Sequence, residues 1–195
     1  MMGIMNVECP ELTGAQSRTR AAILDATASV LARDRTATLP EIAAAAQVAR
    51  STLHRYFADR ERLIYEATLD SIRVISDILA AAATAEGPAI DAMRRVITTL
   101  APEGDRIVFL FADPAVLRDI PAEHLPNSAP ILDLIVRGQQ EGVFDPELSP
   151  EWIRIALFGL LVKACSEAAH GAVPRHSIVP ALTRIFERGV TSGPQ

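Results

Sequence analysis

Apolar residues recur at three- and four-residue steps along most of the chain, and no stretch alternates apolar and polar positions with the two-residue period of a strand. The pattern predicts an all-α protein of about nine helices. Ile23, Leu24, Thr27, Val30 and Leu31 carry a first helix to about residue 33, with Ser17 as its expected cap. Thr38 and Glu41 have capping-box spacing, and Pro40 falls in the first turn, where its missing N–H costs nothing. Ile42 and Ala46 share one face of this second helix, and the alanines between them permit a close crossing. Val48 is the apolar plug of the turn that follows. A short third helix is expected over residues 50–56, with Leu53 and Phe57 inward and Ser51, Arg55 and their neighbours outward.

Asp59 is the expected cap of a long fourth helix reaching residue 84, roughly 35 Å at 1.5 Å per residue. Further helices are predicted over 90–100, over 105–119 with an interruption at Pro114, over 129–141 closed by Gly142, over 150–170 after Ser149-Pro150-Glu151, and over 176–188. In the last, Ile178, Leu182, Ile185 and Phe186 form one stripe. The eighth helix is apolar all round between Ile155 and Val162, so it is expected to be covered on more than one side. Residues 1–16 and 191–195 lack a period and read as an arm and a tail. The organisation that follows is a head over 17–64 and a body over 65–190.

Two short helices joined by a turn, the second with a basic, donor-rich outer face, form the helix-turn-helix arrangement that places a recognition helix in the DNA major groove. The run IAAAAQVARSTLHRYFADRERLI also resembles the signature of the TetR family of bacterial transcriptional regulators, in order and spacing, over about twenty residues. Gln47 stands where that family usually has Gly, Ala49 where it often has Ser or Thr, and His54 where Tyr is commonest. The Ala49 departure removes a cap worth roughly 1 kcal/mol. The resemblance implies that Thr38, Arg50, Ser51, Thr52, His54, Arg55, Tyr56 and Arg60 contact double-stranded operator DNA. Thr38 and Thr52 would meet phosphates, Arg50, Ser51 and Arg55 would read bases, and His54, Tyr56 and Arg60 would touch the backbone. It further implies a homodimer formed through helices 8 and 9, which a charge at Gly159 or Leu161 should break, and an unknown small-molecule effector held in the body. Repression released by that effector is the expected function.

The net charge of −5 is unevenly placed. Residues 18–62 hold eight arginines against five acids, a net of +3, which leaves −8 for the remainder. A basic head on an acidic body repels DNA with one part and offers it the other. Arg18 and Arg20 are further candidates for phosphate or the minor groove, or simply an exposed helix end. The two cysteines, Cys9 and Cys165, form no disulfide framework or metal spacing, and a reducing cytoplasm is the expected location. The longest apolar run is far short of the ~20 residues that span a bilayer, so no membrane partner is expected. No cofactor motif is present.

The residues admit two other classes. A helical small-molecule-binding protein that no longer reads DNA finds its support in Gln47 and Ala49. A helical hydrolase would use Ser166 and His170, four apart on one face, but no nucleophile elbow accompanies them and an enzyme is not expected. His170, Arg175 and His176 lack a recognised ligand spacing. Met93, Phe109, Phe111, Leu117, Leu134, Trp152 and Phe158 are equally readable as core or as the wall of an effector pocket, and none is assigned to a ligand.

Overall fold

The structure, a computed structural model, describes residues 13–190. Nine α-helices are present among them and no strand. The first, α1, spans Gly14–Arg33 and begins earlier than expected. Thr13, not Ser17, is its cap: the Thr13 hydroxyl accepts from the Gln16 N–H, and the Gln16 side chain accepts from the Thr13 N–H at 2.9 Å. Residues 13–16 therefore belong to the helix start, while the rest of the expected arm lies outside the described residues, as does the expected tail. Helices α2 (Leu39–Ala45) and α3 (Arg50–Tyr56) follow where the periodicity put them. Ile23, Leu24, Leu31, Ile42, Leu53 and Phe57 are all buried and join the three helices in one core.

The fourth helix, α4, spans Arg60–Ala81 and is capped by the Asp59 carboxylate, which accepts from the Arg62 N–H at 2.7 Å. It stops three residues short of expectation because Ala83 takes a positive φ of 48°. That turn is held from α5 (Ala89–Leu100), whose Arg95 donates to the carbonyls of Ala82, Ala83 and Glu86. Next comes α6, Gly104–Phe111, shorter than the helix expected to residue 119. Asp113 accepts from the Ala115 N–H and starts a separate 3-10 turn at Pro114–Leu117. Helix α7 spans Ala129–Gln140 and α8 spans Pro150–Ala169, the latter capped by Ser149. Helix α9 spans Ile178–Val190 and starts later than expected, because residues 175–177 form a 3-10 turn. Of its expected stripe, Ile178, Leu182 and Phe186 are buried, but Ile185 is 56% exposed and points away. Leu161 of α8 is fully buried in its own body, so a charge there would disturb the core.

Helix α6 is the pivot of the assembly. It packs on α1, α4 and α8, and it crosses α8 so closely that a Cβ at Gly104 would stand 2.8 Å from the Cys165 sulfur. Its first turn carries two charged residues used as ties. The Arg106 guanidinium, almost fully buried, donates to Asp70 (2.9 Å) and Ser71 (3.2 Å) on α4 and to Asp25 (3.2 Å) on α1. Asp105 accepts from the Ser29 hydroxyl (2.6 Å), from Arg33 (3.3 Å) and from Arg175 (2.7 Å). A buried charge costs far more unpaired than paired, so these contacts fix the orientation of α6 against α1 and α4.

Burial by itself pushes the Asp105 carboxyl up, but the Ser29 hydroxyl and the Arg175 and Arg33 guanidinium groups outweigh it and hold it below its ordinary value of 3.8. A carboxylate held low contributes stability above its unfolded pKa and loses it as pH falls through the folded one. Asp105→Asn is therefore expected to cost about 1–2 kcal/mol at pH 7, allowing for its partial exposure. The difference from the wild type should shrink as pH drops below 3.8. Urea unfolding of both proteins across that range checks it; a pH-independent difference would contradict the assigned ties.

Candidate nucleic-acid interface

The turn between α2 and α3 is a Schellman motif. The Val48 N–H donates to the Ala43 carbonyl and the Gln47 N–H to the Ala44 carbonyl, both at 3.0 Å. Gln47 takes the left-handed position with φ 56°, the conformation glycine adopts without cost. A non-glycine residue there costs about 1–2 kcal/mol, and the burial of Leu53 and Phe57 behind the turn offsets it. The glutamine is thus accommodated, and the motif is geometrically intact. Ala49 supplies no side-chain cap to α3. At the start of α2, the Glu41 carboxylate accepts from both the Thr38 N–H (2.6 Å) and the Thr38 hydroxyl (2.7 Å), and these two bonds hold its carboxyl below the ordinary carboxylate range.

The structure brings most of the candidate residues to one surface. Arg50, Ser51, His54 and Arg55 are exposed on α3, and Thr38 is exposed at the start of α2. Thr52 and Tyr56 are half-buried at the flanks of that face. The Arg55 guanidinium lies 5.5 Å from the centre of the Tyr56 ring, which restrains it without consuming its donors. Arg60 is placed differently. Its guanidinium donates to the carbonyl of Ala37 and, at 2.9 Å, to that of Arg35, so it ties the start of α4 to the link before α2.

The basic head divides its arginines between two tasks. Arg20 and Arg62 pair with Glu66. Arg33 pairs with Asp105, and Arg35 donates to the carbonyls of Val108 (3.1 Å) and Phe109 (2.8 Å) at the end of α6, with its guanidinium over the Phe109 ring. Burial lowers the pKa of Arg35, against the pull of the nearby Asp113 carboxylate. Of the arginines of the head, Arg18, Arg50 and Arg55 have no carboxylate or carbonyl partner among the described residues, and all three are exposed. Arg35 and Arg60 as internal ties escaped sequence reasoning, because their acceptors lie 23 to 74 residues away.

The body holds an open cleft of about 770 Å³ between α4, α6, α7 and α8. Phe111, Leu117 and Phe158 line it, as do Ile75, Ile131 and Arg154. Met93, Phe109 and Leu134 are core instead, and Trp152 is 65% exposed. Ser166 and His170 do not pair as a nucleophile and base would: the His170 Nδ1 contacts the main-chain carbonyl of Ser166 at 2.7 Å. Burial pushes the Cys165 thiol up to about 11, which leaves it without thiolate character at neutral pH. Among the described residues there is no cluster of three or more metal-ligating side chains, and no helix long and apolar enough to cross a membrane.

Comparison with known proteins meets this geometry at the same place. Residues 23–67, from α1 into α4, match the model of the bacterial regulatory proteins of the tetR family. Over 185 residues the chain is 35% identical to the HTH-type transcriptional repressor LfrR of Mycolicibacterium smegmatis, covering 94% of this chain and 96% of that one. The crystal structure of LfrR superposes with a TM-score of 0.71 at 33% identity, over 92% of this chain and 100% of that one. LfrR in complex with proflavine gives 0.67 at 32% identity, over 91% and 99%. A TetR family regulator from Marinobacter aquaeolei VT8 shares the fold at 17% identity, with a TM-score of 0.64 over 92% and 98%. Helix-turn-helix geometry, the matched head and a relative similar over nearly its whole length agree: the chain belongs to the tetR family and is a transcriptional regulator.

Proposed function

We propose that the chain is a ligand-responsive repressor that binds a roughly palindromic operator as a homodimer in the cytoplasm. The observation that carries this reading is the division of arginines in the head. Arg50 and Arg55 stand on the outer face of α3 with Ser51, Thr52, His54 and Tyr56, while other arginines are spent on internal ties. In this reading Arg50, Ser51 and Arg55 read base edges in the major groove, Thr38 and Thr52 meet phosphates, and His54 and Tyr56 touch the backbone. Arg60 acts indirectly, by holding the link over residues 34–37. The rival reading, a ligand-binding protein that no longer reads DNA, loses the support of Gln47, which completes the turn, and keeps that of Ala49, which caps nothing.

Dimerisation is supported by an apolar stripe left bare on one protomer. Trp152, Ile155 and Leu160 on α8 and Ile185 on α9 are 65%, 48%, 36% and 56% exposed. Such a patch on adjacent helices fits an isologous interface between two copies. The effector reading is supported by the cleft and by the proflavine complex of the relative. A molecule in the cleft touches Phe111 and Ala112 at the end of α6, next to the carbonyls that hold Arg35. Displacing that end moves Arg35, then the link it belongs to, then α2 and α3. Affinity for DNA falls only if the ligand prefers the displaced arrangement.

In anisotropy titrations with an operator selected from random DNA, Thr52→Ala is expected to weaken cognate and scrambled sequences alike. Arg55→Ala should in addition relax sequence preference by about 1–3 kcal/mol. Equal losses on both DNAs for both variants would contradict the roles. Arg60→Gln should lower affinity while leaving the salt dependence unchanged; a slope reduced by about one would instead make Arg60 a direct phosphate contact. Leu160→Glu should halve the particle mass in light scattering, and an unaltered mass would remove α8 from the interface.

A further inference from the structure

The charge of the cleft specifies more than its size. Its wall is mostly apolar, and the charged side chains lining it are Arg154 and Lys163; neither Asp nor Glu is among them. Lys163 is already compensated by Glu167 at 2.5 Å. Arg154 is half-buried, and among the described residues it has no hydrogen-bond or ion-pair partner. The other polar groups offer donors. Asn127 has its side-chain oxygen occupied by the Ala129 N–H at 2.9 Å, which leaves its NH2 group to donate, and Ser128 and Ser166 add hydroxyls. Among the acids on the surrounding elements, Asp77 pairs with Arg73, Asp113 accepts from the Ala115 N–H and Glu167 pairs with Lys163, while Asp119, Glu123, Asp133 and Glu151 are exposed and do not line the cleft.

We propose that the cleft takes an amphiphilic organic anion, an apolar or aromatic body whose carboxylate meets Arg154. This rests on reading the cleft as the effector site. A guanidinium beside an apolar wall is stabilised by a carboxylate that shares its desolvation, in a charge-assisted and often bidentate contact. A cationic guest would bring a second positive charge into the same space with no carboxylate to receive it. The ligand class therefore differs from that of the cationic dye proflavine, which serves as a counter-probe.

The test uses the full-length protein and three fluorescent probes that share one body: 1-pyrenebutyrate, 1-pyrenebutanol and 1-pyrenebutylamine. The carboxylate is expected to bind about tenfold tighter than the alcohol, the scale of one charge-assisted hydrogen bond, with the ammonium and proflavine weakest. Arg154→Gln should bring the carboxylate to the level of the alcohol, and Arg154→Glu should put the ammonium first. Ammonium or proflavine binding the wild type as tightly as the carboxylate overturns the proposal, as does an unchanged order in both Arg154 variants. Leu79→Trp and Val162→Trp fill the cleft from two sides, with folding checked by circular dichroism. Binding that survives both variants, or an absence of binding by every probe, sinks the effector-site reading itself. Binding that is lost on filling but led by the ammonium sinks the anion alone.

Discussion

Helix α3 is positioned by guanidinium groups that donate to main-chain carbonyls at the junction of head and body. A carbonyl buried in that junction must find a donor, and an arginine can satisfy two at once with a planar fork. Arg60 supplies this from the start of α4 and Arg35 from the link before α2, so the link is gripped from both sides. Arg106 and Asp105 in turn tie α6 to α1 and α4, so the link, the head and α6 form one connected set of polar contacts. The positive charge of the head is therefore a poor measure of its charge toward DNA. Most of it is structural, and what remains outward is concentrated on α3 and the start of α1.

How much of this could be read from the chain depended on how far each signal reached. Caps are local chemistry, and Thr38 with Glu41, Asp59 and Ser149 each announced a helix that the structure contains. Thr13 with Gln16 is the same chemistry, masked in the sequence by Ser17, which also precedes the first apolar residue of the stripe. Helix ends were less legible where a distant residue sets them, as Arg95 does for the turn after α4. Periodicity placed Leu161 and Ile185 within one turn of buried neighbours, but the side each faces depends on helices packed from elsewhere. The cleft was the least readable feature. Phe111, Leu117 and Phe158 line it, Met93, Phe109 and Leu134 fill the core, and composition cannot separate two such groups of apolar side chains.

Helix α8 shows why its sequence is apolar on every side. Ile153, Leu157, Leu161 and Cys165 face the body, Phe158 and Val162 face the cleft, and Trp152 and Leu160 face outward. One helix thus serves three environments, and no ordinary amphipathic pattern could satisfy them. The cleft wall and the outward stripe share Ile155 and Gly159, so whatever occupies the cleft lies against the same rod that would meet a second copy.

That outward stripe has a bearing on dosage. If two copies must meet before the greasy surface is covered, the supply of paired molecules at low abundance grows with the square of the number of chains made. Doubling synthesis would then quadruple the species able to span both halves of a symmetrical site. A cell could move such a promoter from open to closed over a narrow range of expression.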